Sequence, residues 1–207
     1  MNRGPFIFVG LFIVLAFSWA NLVNRPIQQS GQLSAIYDDS ERKPRVAPGA
    51  ADQGKLVYQQ MGCVSCHTQQ TRLTVGSDID RGWGIRQSVA RDYVGQYPAL
   101  IGDRRIGPDL SNVGAKELDS EWHHLHFYNS QITSAGSNMP SYSFLYDVRP
   151  VIGQPSDRAL DLPEGYEVDP GYEVVPTRRA EALVAYMLSL KVDYDLPEAP
   201  SPEKIGL

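Results

Sequence analysis

The sequence predicts a mainly α-helical protein, with one apolar N-terminal helix ahead of a single helical domain. Three observations predict it. Residues 5–23 are uncharged and almost wholly apolar. Gly54, Tyr58 and Gly62 lie four apart and so share one face of a helix. Ala180, Leu183, Val184, Met187, Leu188 and Leu190 form an apolar stripe at helical spacing near the other end. The chain has 207 residues, 42% hydrophobic and 21% charged, the range of a globular domain with appendages. Its formal net charge of −5 comes without the basic tracts that nucleic acid needs, so no nucleic-acid partner is expected.

The first element carries no charge from Gly4 to Asn24. As a helix, residues 5–23 span roughly 28 Å at about 1.5 Å per residue, close to a bilayer core. Trp19 lies near one end, where an interfacial aromatic belongs. A cleaved signal peptide is the competing reading, with Ser18-Trp19-Ala20 as its cleavage site. The run is longer than the usual signal core and its charged head is only Arg3, so an uncleaved anchor over residues 1–24 is favoured. Residues 25–50 hold Pro26, Pro44 and Pro48, a charge cluster from Asp38 to Lys43 and no apolar period; they read as a linker.

The domain runs over residues 51–192. A short helix over residues 51–60 leads into Cys63-Val64-Ser65-Cys66-His67, which is the Cys-x-x-Cys-His signature of c-type haem attachment. Two thiols three positions apart can each close a thioether onto one vinyl group of the same porphyrin. His67 then offers a nitrogen to the iron. A redox dithiol or half a zinc site are the other uses of Cys-x-x-Cys. Zinc lacks its second pair, because these are the only two cysteines, and a redox dithiol does not need the following histidine. One covalent haem c is therefore the expected cofactor.

Residues 68–102 show little periodicity and read as irregular chain along a haem edge. Arg72 and Arg105 are singled out among the arginines as partners for haem propionates. Arg105 to Leu110 is a Gly-Pro turn, in which the Pro108 carbonyl can accept from the ring N–H of the proximal histidine. Asp119-Ser120 starts a helix carrying His123 and His126 on one face, expected beside the haem, with His124 toward solvent. A metal site built from these histidines lacks a third ligand.

A second axial ligand is needed, and a methionine sulfur opposite histidine raises the potential. Met139 precedes Pro140, which holds it out of helical geometry on an extended loop. Met1 lies before the anchor, Met61 is tied to Cys63, and Met187 sits in the apolar stripe, so Met139 is the ligand expected with His67. Residues 144–176 form a proline-rich, acidic excursion, in which Gly165 to Val168 and Gly171 to Val174 repeat and could pair as a hairpin. Thr177 caps a helix from Arg178 to about Lys191 that should cross the Gly54–Tyr58 face. Residues 193–207, with three prolines, read as a flexible tail.

Together these blocks resemble a family. Gly62 to Arg72 reads Gly-Cys-x-x-Cys-His-x-Gln-x-x-Arg. It is followed in order by Arg105-x-Gly-Pro-Asp-Leu, Trp122-His123-x-x-His126-x-Tyr128-Asn129, Met139-Pro140-Ser141-Tyr142 and Ala182-Leu183-Val184-Ala185-Tyr186. The chain resembles the monohaem cytochrome c subunit (subunit II) of cbb3-type haem–copper oxidases. The resemblance implies a class I cytochrome c domain on one transmembrane helix. It implies Cys63 and Cys66 as thioether anchors, and His67 and Met139 as axial ligands. The implied partners are the oxygen-reducing haem–copper subunit and other cytochrome c subunits. Such a chain passes electrons and is not itself the catalytic subunit. It would cross the inner membrane once, with the haem on the outer, periplasmic side. Rival readings are an independent anchored cytochrome c shuttling between complexes, a haem subunit of another respiratory reductase, and a five-coordinate haem that binds a gas or peroxide.

Overall fold

The computed structural model describes residues 3–38, 40–73 and 78–202. The chain forms two compact units. One comprises the residues up to Pro44 with Val89–Gly95, the other Arg45–Ser88 with the chain from Gln96 onward.

In the first unit, α1 (Gly4–Trp19) runs through a wider π-turn (Ala20–Asn24) into α2 (Arg25–Gly31). The result is one helix of 28 residues, Gly4–Gly31, long and apolar enough to cross a membrane. No residue of α1 is buried, and large apolar side chains such as Phe8, Leu11 and Phe12 are exposed on every side. A helix apolar all round suits lipid better than water. The linker expected from residue 25 therefore begins as helix. Pro26 lies in the first turn of α2, and Arg25 N–H bonds to Ala20 O in the π-turn, so the missing proline donor falls where the hydrogen-bond register already shifts. A short hairpin follows, β1 (Ile36–Asp38) antiparallel to β2 (Glu41–Lys43), also within the expected linker.

The second unit is built on α3 (Gly49–Gln60), which crosses the last helix as the glycine spacing predicts. Between them come the short helices α4 (Val113–Lys116), α5 (Ser120–Tyr128) and α6 (Ser130–Thr133). Asp119 caps α5 and Asn129 caps α6, each through a side-chain oxygen that accepts from the backbone N–H two residues on. Strands β3 (Tyr146–Pro150) and β4 (Tyr172–Pro176) pair antiparallel, with Val148 opposite Val174. The tetrapeptide repeat thus does not pair with itself; its second copy joins residues from the start of the excursion. That excursion is also partly core, because Leu145, Tyr146, Val174 and Val175 are buried.

The last helix, α7 (Arg178–Ser189), buries Ala180, Leu183, Val184, Tyr186 and Met187. Gly54 of α3 lies against its backbone, and the rings of Tyr58 and Tyr186 meet edge-on at 5.4 Å. Thr177 Oγ1 accepts from Ala180 N–H and donates to the Leu145 carbonyl at 2.7 Å. Thr177→Ala removes the cap and one of the two donors to that carbonyl, which keeps the residue 177 N–H at 3.1 Å. It should cost about 1–2 kcal/mol, read as a lower midpoint in thermal or urea unfolding.

The segment expected as a flexible tail is packed as far as Ser201. Tyr194, Leu196 and Ala199 are buried. Arg86 fastens it: its Nε donates to Tyr194 O at 2.9 Å, and its guanidinium lies 5.0 Å over the Tyr194 ring. The remainder of the expected tail, beyond Pro202, lies outside the described residues.

Candidate functional site

α3 ends at Gln60, and Gly62 turns the chain with φ +73°, a left-handed value that glycine adopts without strain. A 3₁₀ turn over Cys63–Ser65 follows, and His67 N–H closes it onto Cys63 O at 2.9 Å. This compact turn brings Cys63, Cys66 and His67 to the wall of a single cavity of about 500 Å³. Both thiols are free, and burial pushes the Cys63 thiol up to about 11. The Cys63 thiol is therefore protonated at neutral pH.

His67 is held from behind. Its Nδ1 lies 2.8 Å from Pro108 O. A carbonyl can only accept, so Nδ1 carries the hydrogen and Nε2 is left with a free lone pair. Burial lowers the His67 pKa despite the upward pull of the Pro108 carbonyl and Asp109, so the ring is neutral at neutral pH. Gly107 permits the close approach, because a Cβ there would sit 2.3 Å from His67 Cε1. Backbone bonds Gly107 N to Cys66 O (3.0 Å) and Leu110 N to Thr68 O (2.8 Å) lock the Gly-Pro turn onto the motif.

Met139 reaches the same cavity from its loop before Pro140. The loop is tied through backbone atoms. Ser130 Oγ donates to Met139 O at 2.9 Å, and Met139 N–H donates to Ser137 Oγ at 3.2 Å. Tyr142 N–H continues the attachment by donating to Phe127 O of α5. Met187 also touches the cavity, but it does so from within α7, where it is buried.

His123 and His126 line the cavity as well. His126 stacks flat on Trp122 at 4.7 Å and its Nδ1 meets Thr133 Oγ1 at 2.6 Å. Burial, with smaller contributions from His123 and His67, pushes its pKa down to about 4. His123 Nε2 lies 3.1 Å from the Glu117 carbonyl, which fixes its hydrogen there. His124, expected in solvent, is half-buried with its Nδ1 3.2 Å from the Tyr146 hydroxyl. Among the described residues, no group of three or more His, Cys, Asp or Glu is placed to hold a metal ion.

The two arginines expected at the cofactor lie elsewhere. Neither Arg72 nor Arg105 lines the cavity. Arg72 is exposed, and Arg105 is committed to Asp78 by bonds of 2.6 and 2.8 Å. Asp78 is 27 residues before Arg105 in irregular chain, so no sequence period links the pair. The cavity thus gathers the thiols of Cys63 and Cys66, the imidazoles of His67, His123 and His126, and the thioethers of Met139 and Met187. Cys63, Cys66 and His67 are not placed together to hold a bare ion, and with Met139 they fit an iron already held in a ring of four nitrogens whose edge can be bonded to sulfur.

A family model described as cytochrome c oxidase, mono-heme subunit/FixO matches residues 12–160. The matched span contains Cys63, Cys66, His67, the Gly-Pro turn and Met139; β4 and α7 lie beyond it. No curated protein matches the chain.

Proposed function

From the chain's membership of the mono-haem cytochrome c oxidase subunit family, we propose that it passes electrons to the oxygen-reducing subunit of a cbb3-type oxidase. Membership itself makes the chain a haem-bearing oxidase subunit. Its fold is a cytochrome c domain behind one N-terminal helix able to span a membrane.

Cys63 and Cys66 would anchor the haem through two thioethers, which addition of Sγ–H to a vinyl group would give with no net oxidation. His67 Nε2 and Met139 Sδ would hold its iron. Bound there, the haem supplies one-electron iron chemistry, with a potential raised by the sulfur ligand. Pro108 holds the imidazole tautomer, Gly107 gives the ring room, and the Ser130–Met139 bond holds the loop. The single observation that carries this reading is the convergence of Cys63, Cys66, His67 and Met139 on one cavity. The catalytic haem–copper subunit and other cytochrome c subunits are the proposed partners. The haem domain belongs on the outer side of the inner membrane, where haem is attached to Cys-x-x-Cys-His chains.

The test is a purification of the full chain from its native membrane. One haem per chain should survive acid–acetone extraction, and a haem–copper subunit should co-purify. A polypeptide weighing only the sum of its residues would overturn covalent attachment. A fully active oxidase assembled without this chain would overturn the electron-transfer role.

A further inference from the structure

Behind the proximal imidazole lies a buried ionic relay that the haem reading does not use. Asp109 directly follows Pro108, and its side chain is 0% exposed. Oδ2 accepts from Thr68 Oγ1 at 2.6 Å and from Gln70 N–H at 2.7 Å. Oδ1 accepts from the N–H and hydroxyl of Ser111. One carboxylate thus joins the strand of chain leaving His67 to the turn whose carbonyl holds His67. Arg105 completes the relay. Its Nε donates to Thr68 Oγ1 at 2.9 Å, its Nη2 to Gln70 O at 2.5 Å, and its two Nη atoms grip Asp78.

The charges are unevenly paired. Asp78 and Asp109 supply two negative charges and Arg105 one positive, and Arg105 Nη2 is 3.6 Å from Asp109 against 2.8 Å from Asp78. Burial raises the Asp78 pKa, but the Arg105 guanidinium and the Arg72 amide outweigh it, so Asp78 stays ionised at neutral pH. Exposed Arg72 acts on Asp78 from the solvent side. Both arginines thus act on Asp78, and the carboxylate of Asp109, at the turn behind His67, is the less closely compensated of the two.

We propose that Asp109 is a positioning residue for the proximal ligand, and that its carboxylate holds the haem's reduction potential down. The inference rests on His67 ligating the haem. An oxidised haem iron carries one more positive charge than a reduced one, so a nearby buried anion favours the oxidised form. The same carboxylate fixes the turn that carries the Pro108 carbonyl, through its bonds to Thr68, Gln70 and Ser111. This strengthens the Nδ1–H bond and makes the imidazole a more basic ligand, which acts in the same direction. Arg105 opposes it, and Asp78 in turn offsets Arg105.

The experiment is a redox titration of the purified, haem-loaded full chain by visible absorbance. It compares wild type with Asp109→Asn, Asp78→Asn and Arg105→Gln. Haem content and unfolding midpoint are measured alongside. Asp109→Asn and Asp78→Asn should shift the midpoint potential upward, Asp109→Asn the more, and Arg105→Gln should shift it downward. Opposed signs are the decisive readout, because a merely loosened turn would move all three the same way. Three shifts of one sign overturn the proposal, as does an unmoved potential in a fully loaded Asp109→Asn protein. Should Asp109→Asn not load haem, the other two variants decide by the same rule. A wild-type chain without haem defeats the functional reading itself, and this shows before any variant is made.

Discussion

Met139→Ala yields a folded protein that keeps its haem but loses the long-wavelength sulfur–iron absorption band. Its potential falls on the order of a tenth of a volt or more, within the roughly 0.8 V over which axial ligands set haem potentials. The fold should survive because the loop does not depend on the methionine side chain. Ser130 and Ser137 bond to its backbone O and N, and Tyr142 N–H bonds to Phe127 O. The proposed thioethers to Cys63 and Cys66 would retain the haem without Met139. Absorbance and redox titration of the variant check the result. Met187 supplies the control, since it touches the same cavity from a buried position in α7. An unchanged spectrum in Met139→Ala, with the band lost in Met187→Ala, would move the ligand assignment to Met187.

Gly54→Leu should prevent the domain from closing. A Cβ at position 54 would lie 1.8 Å from the Ala182 carbonyl oxygen and 2.7 Å from Tyr186 Cβ. The obstacle is backbone, so no rotamer relieves it, and the two helices must separate. Separation also breaks the Tyr58–Tyr186 contact and exposes Leu183 and Val184. Overpacking of this kind costs about 3 kcal/mol or more, a large share of a domain's stability. Urea unfolding of the loaded protein should show a much lower midpoint. Gly49→Ala, at the start of the same helix with nothing within 4 Å of its Cβ, should stay within about 0.5 kcal/mol of wild type. If both substitutions behave alike, the helix crossing is not as described.

Much of this was legible in the residues because it is local or periodic. Gly54 and Tyr58 mark a face by spacing alone, and Met139 is exposed as a loop residue by Pro140. The Gly107-Pro108 turn and the Thr177 cap are likewise short-range signals. What could not be read depends on contacts with no local period. Arg105 looked available for a propionate because its true partner, Asp78, lies far back in irregular chain. The tail looked free because Arg86, which fastens Tyr194, is 108 residues away. The Gly-Tyr-Glu-Val repeat suggested self-pairing, whereas β4 pairs with β3 across the excursion. Pro26 falls in the stretch that reads as a linker, yet a π-turn upstream carries the helix past it. Asp109 was visible only as one letter of a turn motif; its buried bonds to Thr68, Gln70 and Ser111 emerge when both segments are folded together.

The pairing of α3 with α7 also joins two helices far apart in the chain, which bears on when the crevice can close. Gln60 ends one helix and Arg178 begins the other, so a long segment must be gathered before they can meet. Closing so large a loop is entropically unfavourable and slow compared with forming either helix. Cys63 and Cys66 follow immediately after the first of these helices, in a stretch that stays open while the rest is still unfolded. A nascent chain could therefore offer both thiols to the proposed haem before any wall of the crevice exists, and α7 would then close over a cofactor already in place.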